Sequence, residues 1–145
     1  MGAASVKATA KALKSFVGGF DLPAYAIGSV PDDVQAPYLV YPLVEPEWNQ
    51  KASFYIQGWF RTTSNTALVE KADEIVREVG AGITISTDSG YLVIYPETPL
   101  VQMMVNDDYR SFYINLSINV FQMPGAYPEQ TQQPGATTQE EGESR

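Results

Sequence analysis

The sequence predicts an α+β fold, with two helices packed on one face of a mostly antiparallel β-sheet. Three observations carry this prediction. A helical stripe runs through residues 67–79, a strict two-residue alternation runs through residues 109–121, and a hairpin signal lies between them. The whole chain has 145 residues, the usual size of one domain. A domain of that size buries roughly 68% of the surface its unfolded chain exposes, enough for a core without covalent staples.

The elements follow in order. Residues 3–18 read as a first helix, with Val6, Ala10, Leu13 and Phe16 or Val17 at helical spacing and Gly18-Gly19 as its stop. Residues 21–37 are rich in Pro, Asp and Gly and read as a loop with at most short ordered pieces. Residues 38–44 have strand composition. Pro42 cannot donate to a ladder, so this strand is placed at an edge or bends there. A polar turn at 45–52 leads to a strand at 53–61. Phe54, Ile56 and Phe60 share one face of it, Tyr55, Trp59 and Arg61 the other, and Gly58 suggests a bulge.

Ser64 or Asn65 caps the second helix. Leu68, Ala72, Ile75, Val76 and Val79 are its buried stripe, Gly80 is its stop, and Glu70, Lys71, Glu74 and Arg77 belong to its wet side. Strands at 83–87 and 91–95 flank the loop Asp88-Ser89-Gly90. A short segment, Leu100 to Val105, precedes the turn Asn106-Asp107-Asp108. In the last strand Phe112, Ile114, Leu116, Ile118 and Val120 face the core, and Ser111, Tyr113, Asn115, Ser117 and Asn119 face away. Residues 1–123 are thus read as one domain. Residues 124–145, dominated by Gln, Glu, Gly, Pro and Thr, are read as a disordered acidic C-terminal tail.

Composition narrows the chemistry. There is no cysteine and no histidine, which excludes thiolate nucleophiles, Ser-His-Asp catalysis and the commonest zinc ligands. The formal net charge of −8 argues against nonspecific DNA binding, which depends on cations that displace phosphate counterions. Lys7, Lys11 and Lys14 share a helix face and read as solvated. No apolar run approaches the roughly 20 residues of a membrane-spanning helix, and no signal peptide is visible. The acidic pairs Asp32-Asp33 and Asp107-Asp108 suit turn geometry, and Ser89 has no base to activate it. Gly80-Ala81-Gly82 follows a helix instead of a strand and lacks a partner lysine, so it is no phosphate loop. No enzymatic activity, no metal and no cofactor is expected.

The aromatic pattern is more informative. Tyr55, Trp59, Tyr91, Tyr95 and Tyr113 can share the sheet face turned away from the helices. Tyr and Trp are the residues that interface cores favour. Two readings stay open: residues 21–44 fold back over this face, or the face completes its burial against another chain.

The run from Gly90 to Gln102 (Gly-Tyr-Leu-Val-Ile-Tyr-Pro-Glu-Thr-Pro-Leu-Val-Gln) leads through a polar turn. It continues as Tyr109 to Phe121 (Tyr-Arg-Ser-Phe-Tyr-Ile-Asn-Leu-Ser-Ile-Asn-Val-Phe). This pattern resembles the tail terminator, or minor capsid, proteins of long-tailed bacteriophages. The preceding helix and the basic first helix fit the same layout, so the resemblance spans residues 1–123. It implies a structural virion protein of the neck, made in the host cytoplasm, that forms a homo-oligomeric ring of six copies. Such a ring caps the finished tail tube, joins the tail tube protein to the head-completion or connector protein, and lets DNA pass through without reading its sequence. The interface expected from this reading comprises Tyr55, Trp59, Arg61, Tyr91, Tyr95, Asp107, Asp108 and Tyr113. The alternatives are a head-completion protein of the neck and, in a different class, a small ligand-binding module that uses the aromatic face.

Overall fold

The computed structural model describes residues 3–46, 50–106 and 108–122. The predicted tail at 124–145 lies outside the described residues, as does Asp107. The elements are α1 (Ala3–Gly18), β1 (Ala24–Ala26), β2 (Tyr38–Tyr41), β3 (Lys51–Arg61), α2 (Thr66–Val79), β4 (Ile83–Thr87), β5 (Gly90–Asn106) and β6 (Tyr109–Gln122). They form one six-stranded sheet in the order β1-β2-β3-β6-β5-β4. Every pairing is antiparallel except β1 with β2. This is the α+β architecture that the sequence predicts.

The core follows from two periodicities. α2 turns Leu68, Ala72, Ile75 and Val79 inward, a stripe set by the 3.6-residue repeat. β6 presents Phe112, Ile114, Leu116, Ile118 and Val120 on one face by its two-residue repeat. These side chains join Phe54, Ile56 and Phe60 of β3, Leu92 and Ile94 of β5, and Leu13 and Val17 of α1 in one cluster. Ile75 is 0% exposed and Leu116 2%. Replacing either with Ala is expected to lower stability by about 2–5 kcal/mol in urea melts, because each change removes apolar burial and leaves a cavity. A near-neutral result at either position would place that residue outside the core.

α2 packs over β6, β5 and β3, at the centre of the sheet. α1 lies against both β4 and β1, the two outermost strands. The sheet therefore curls around the helical layer, and α1 bridges its margins. Lys11 of α1 reaches Asp88 beyond β4 at 3.1 Å. Lys71 ties the helices together: its Nζ donates to the Phe20 carbonyl at 2.6 Å and to Glu74 at 2.8 Å. That corrects the reading of Lys71 as a wet-side residue, since a long stem can lie along apolar surface while its head finds an acceptor.

Several sequence expectations are corrected. The buried stripe of α1 is Ala8, Thr9, Ala12, Leu13 and Val17, whereas Val6 is exposed and Ala10 half-buried. β2 stops at Tyr41, before Pro42, and lies second from the edge because Ala24–Ala26 adds β1 outside it. Gly90 is part of β5 and pairs with Thr87, so the hairpin loop has only Asp88 and Ser89. The segment from Leu100 to Val105 is no separate element but the far half of the 17-residue β5. Asn65 stands at the N-cap position without a side-chain cap bond, and its Oδ1 accepts instead from Arg110 at 2.6 Å.

Gly58 is not a bulge. The β3–β6 register runs unbroken from Lys51↔Asn119 to Arg61↔Tyr109, with Gly58 opposite Phe112. The Phe112 ring lies over this glycine, and a Cβ placed there would stand 2.5 Å from ring carbons Cε2 and Cζ. Glycine is required for close approach, not for an unusual backbone.

Candidate functional site

The sheet face turned away from the helices is set by strand register. β3 contributes Ser53, Tyr55, Gln57, Trp59 and Arg61 to it, and β6 contributes Tyr109, Ser111, Tyr113, Asn115, Ser117 and Asn119. Tyr38 of β2 stands opposite Trp59, and Tyr25 of β1 lies edge-on to Tyr38 with ring centroids 6.1 Å apart. Residues 24–26 and 38–41 thus widen the sheet at its margin. These two segments extend the sheet instead of folding back over its face.

The predicted interface residues fall into three groups on this face. The first lies at the β5–β6 turn. Trp59 and Met104 both stand opposite Ser111, from either side. Arg61 pairs with Asp108 at 3.2 Å and lies over the Tyr109 ring, 5.5 Å from its centroid. The Thr62 amide donates to the Asp108 carbonyl at 2.7 Å, which anchors the turn to β3. Burial, followed by the nearby Tyr109, raises the Tyr38 phenol above its ordinary pKa. Tyr38, Trp59, Arg61, Asp108 and Tyr109 accordingly form one neighbourhood. The second group is central: Tyr55 and Tyr113 have ring centroids 5.4 Å apart, and burial and then Tyr113 raise the pKa of Tyr55. The third lies at the far end, where Tyr91 stacks on Phe121 at 5.0 Å. Tyr95 stands opposite Ser117, between the second and third groups.

Sequence reasoning missed an apolar arm. β4 pairs only with Gly90–Ile94 of β5, so from Val101 to Asn106 β5 is bonded to β6 on one side alone among the described residues. Along this free edge Met103 is 42% exposed, Met104 47% and Val105 59%, and Tyr109 across the turn is 44% exposed. These four make up half of the large apolar side chains exposed among the described residues, so exposure is concentrated here rather than scattered. The signal available in the sequence was Met-Met-Val beside a turn, which the reading of Leu100 to Val105 as a short segment left without a role.

A polar groove lies beside the arm. Between Pro96↔Leu116 and Val101↔Ile114, four residues of β5 face one residue of β6, Asn115. The surplus leaves the ladder, and Glu97, Thr98 and Pro99 wall a cavity of about 470 Å³ over β6. Asn115 Nδ2 holds this wall, donating to the Pro99 carbonyl at 2.7 Å and to Gln102 Oε1 at 2.9 Å. Lys51 and Glu97 meet at 3.1 Å across the groove. The Ser117 hydroxyl and then Lys51 hold the Glu97 carboxyl below its usual range. That hydroxyl lies beside the carboxylate without reaching hydrogen-bond geometry. Ser117 Oγ and Asn119 Oδ1 are buried with no hydrogen-bond partner. A buried polar atom left unpaired costs about 1–3 kcal/mol, and of these two Ser117 lines the groove, whose floor is chemically incomplete there.

Among the described residues no group of three or more acidic side chains is placed to hold a metal ion, and no helix is long and apolar enough to cross a membrane. Fold and surface together define a small α+β protein with a half-exposed aromatic sheet face and an open strand edge.

No protein-family model matches the chain, and no curated protein matches it. One solved structure that bears no functional name is similar at a TM-score of 0.56 and 16% identity, over 81% of this chain and 94% of the other. At that identity the likeness is one of fold alone.

Proposed function

We propose that this chain is a structural assembly protein of a phage virion. It forms a ring, six copies in the terminator pattern, that caps a tail tube and meets the head connector at the neck. The observation that carries the reading is the β5–β6 arm, where a strand edge with no neighbour among the described residues coincides with Met103, Met104, Val105 and Tyr109 in solvent. Natural proteins guard such edges with charges, prolines or covering loops, because an open ladder templates pairing with another chain. Here the last six residues of the edge carry no charge and no proline. A second copy offers a matching feature at the other margin of the same sheet, where β1 is also an outermost strand and Ile27 just beyond it is 52% exposed. Two different edges that meet head to tail give a heterologous contact, the kind that closes into rings. Light scattering coupled to size exclusion tests the reading: a ring or a concentration-dependent oligomer is expected, and a strict monomer at high concentration defeats it.

Trp59, beside the turn end of the arm, separates assembly from folding. Its ring is half-buried in the single chain, and large rigid side chains at an interface centre carry a disproportionate share of binding energy. Trp59→Ala is expected to weaken self-association by about 2 kcal/mol or more, roughly 30-fold, while the dilute protein still folds. Glu70→Ala, on the exposed side of α2, serves as the surface control, with an effect on folding of about 0.5 kcal/mol or less. If Trp59→Ala unfolds the dilute monomer, Trp59 is core and its interface role is lost.

A further inference from the structure

We propose that the groove beside Ser117 binds a neutral sugar ring. The proposal rests on the groove alone and stands whether or not the chain assembles into a ring.

Four features point to this ligand class. The space, about 470 Å³, falls within the range of small-molecule sites. The one charged pair at the site, Lys51 with Glu97, is internally compensated at 3.1 Å. A cationic ligand would have to displace Lys51 from Glu97, and an anionic one would have to displace Glu97 from Lys51. An uncharged ligand disturbs neither. The lining offers donors and acceptors side by side. Ser53 and Ser117 supply hydroxyls, Gln102 an amide, and Asn115 an amide oxygen left to accept because both its N–H bonds are used on Pro99 and Gln102. A sugar is a neutral ligand whose hydroxyls each donate and accept. Finally, the Tyr55 ring lines one side, braced by Tyr113 at 5.4 Å, and gives the C–H face of a pyranose an apolar surface to rest on.

Ser117 supplies the independent observation. It is 2% exposed, it lines the groove, and its hydroxyl, although it stands beside the Glu97 carboxylate, completes no hydrogen bond of ordinary geometry. The segment Glu97–Leu100, held off the ladder by Asn115, keeps the groove open above it.

The test is a titration of the isotope-labelled full chain, followed by amide chemical shifts. The neutral probes are glucose, galactose, mannose and N-acetylglucosamine, and the charged controls are glucose 6-phosphate and glucosamine. Saturable shifts confined to residues 51–55, 97–102 and 115–117 are expected with at least one neutral sugar, at a Kd on the order of 1 mM. The matching charged sugar should bind more weakly. Ser117→Ala should reduce affinity about fivefold or more while leaving the thermal midpoint unchanged or higher, since it removes an unpaired buried hydroxyl. The exposed Gln102→Ala provides a second variant if the first disturbs the fold, with the same expected weakening. The proposal is overturned if no neutral sugar gives saturable shifts up to roughly 50 mM. It is equally overturned if the charged controls bind better, or if both variants bind like the parent chain. A variant that no longer self-associates, such as Val105→Asp, should keep its sugar affinity, so failure of the assembly reading and failure of this one are distinguishable.

Discussion

Phe112→Ala is expected to destabilise the protein by about 3–5 kcal/mol, and Gly58→Ala by about 1–3 kcal/mol, yet the two changes together should cost less than their sum. Phe112 is fully buried and lies 6.2 Å, centroid to centroid, from Phe60, so its truncation opens a large cavity in the centre of the core. Gly58→Ala does the opposite. It drives a methyl group to 2.5 Å from the Phe112 ring, in a strand whose register leaves no slack on either side. A ring that is buried on all sides cannot swing away cheaply, as the end of a flexible chain could. When Phe112 is already Ala, the added methyl enters vacated space, and the coupling between the two positions becomes favourable. Urea denaturation of the four members of this cycle measures that coupling directly. Additive costs would mean that the ring does not rest on the glycine.

Charging the arm is expected to abolish self-association and leave the fold intact. Val105 is 59% exposed and Met103 42%, and both lie on β5 beyond the last residue that β4 covers. An aspartate at either site meets solvent in the single chain, so Val105→Asp or Met103→Asp should shift folding stability by only about 0.5 kcal/mol. In a strand-to-strand contact the same carboxylate would be buried without a partner. Removing a charge from water without compensation costs several kcal/mol, which is enough to disperse the oligomer at micromolar concentrations. Sedimentation or light scattering over a concentration series reads the outcome. Persistence of the parental oligomer in both variants would remove the arm from the interface.

Much of the architecture was legible because it rests on long periodic patterns. The α2 stripe from Leu68 to Val79 and the β6 alternation from Phe112 to Val120 each repeat often enough to fix both type and facing. What escaped was local or depended on distant partners. Ala24-Tyr25-Ala26 has no strand signal of its own and becomes β1 because β2 presents it with a parallel ladder. Val6 shares helical spacing with Leu13, yet it is exposed, and burial along α1 begins only at Ala8 and Thr9. Gly58 reads as irregular in one dimension, and only the ring of Phe112, 54 residues later, explains it.

Of the surface residues, Tyr55, Trp59, Arg61, Tyr91, Tyr95 and Tyr113 were placed on the right face by simple alternation, but as separate groups rather than one patch. Asp108 was correctly put in a turn, and its pairing with Arg61 follows from the β3–β6 register, which no local pattern encodes. The groove was invisible for a related reason. Four residues of β5 stand against one of β6, and that mismatch exists only once the strands are paired.

The bridging position of α1 also shapes how the chain must acquire its structure during synthesis. The helix emerges from the ribosome before the strands it packs on, and one of its two supports, β4, comes much later: Lys11 and Asp88 are 77 residues apart. At about 5–20 residues per second, the ribosome needs roughly 4–15 s to supply that partner. Until then Leu13 and Val17 have only part of their final shelter. The nascent chain therefore carries its apolar N-terminal helix half-docked through much of translation, and completion of the β4–β5 hairpin is the event that lets the layer close. Contacts of such long sequence separation are slow to form, so the exposed interval belongs to the topology itself and not to any weakness of the individual helix.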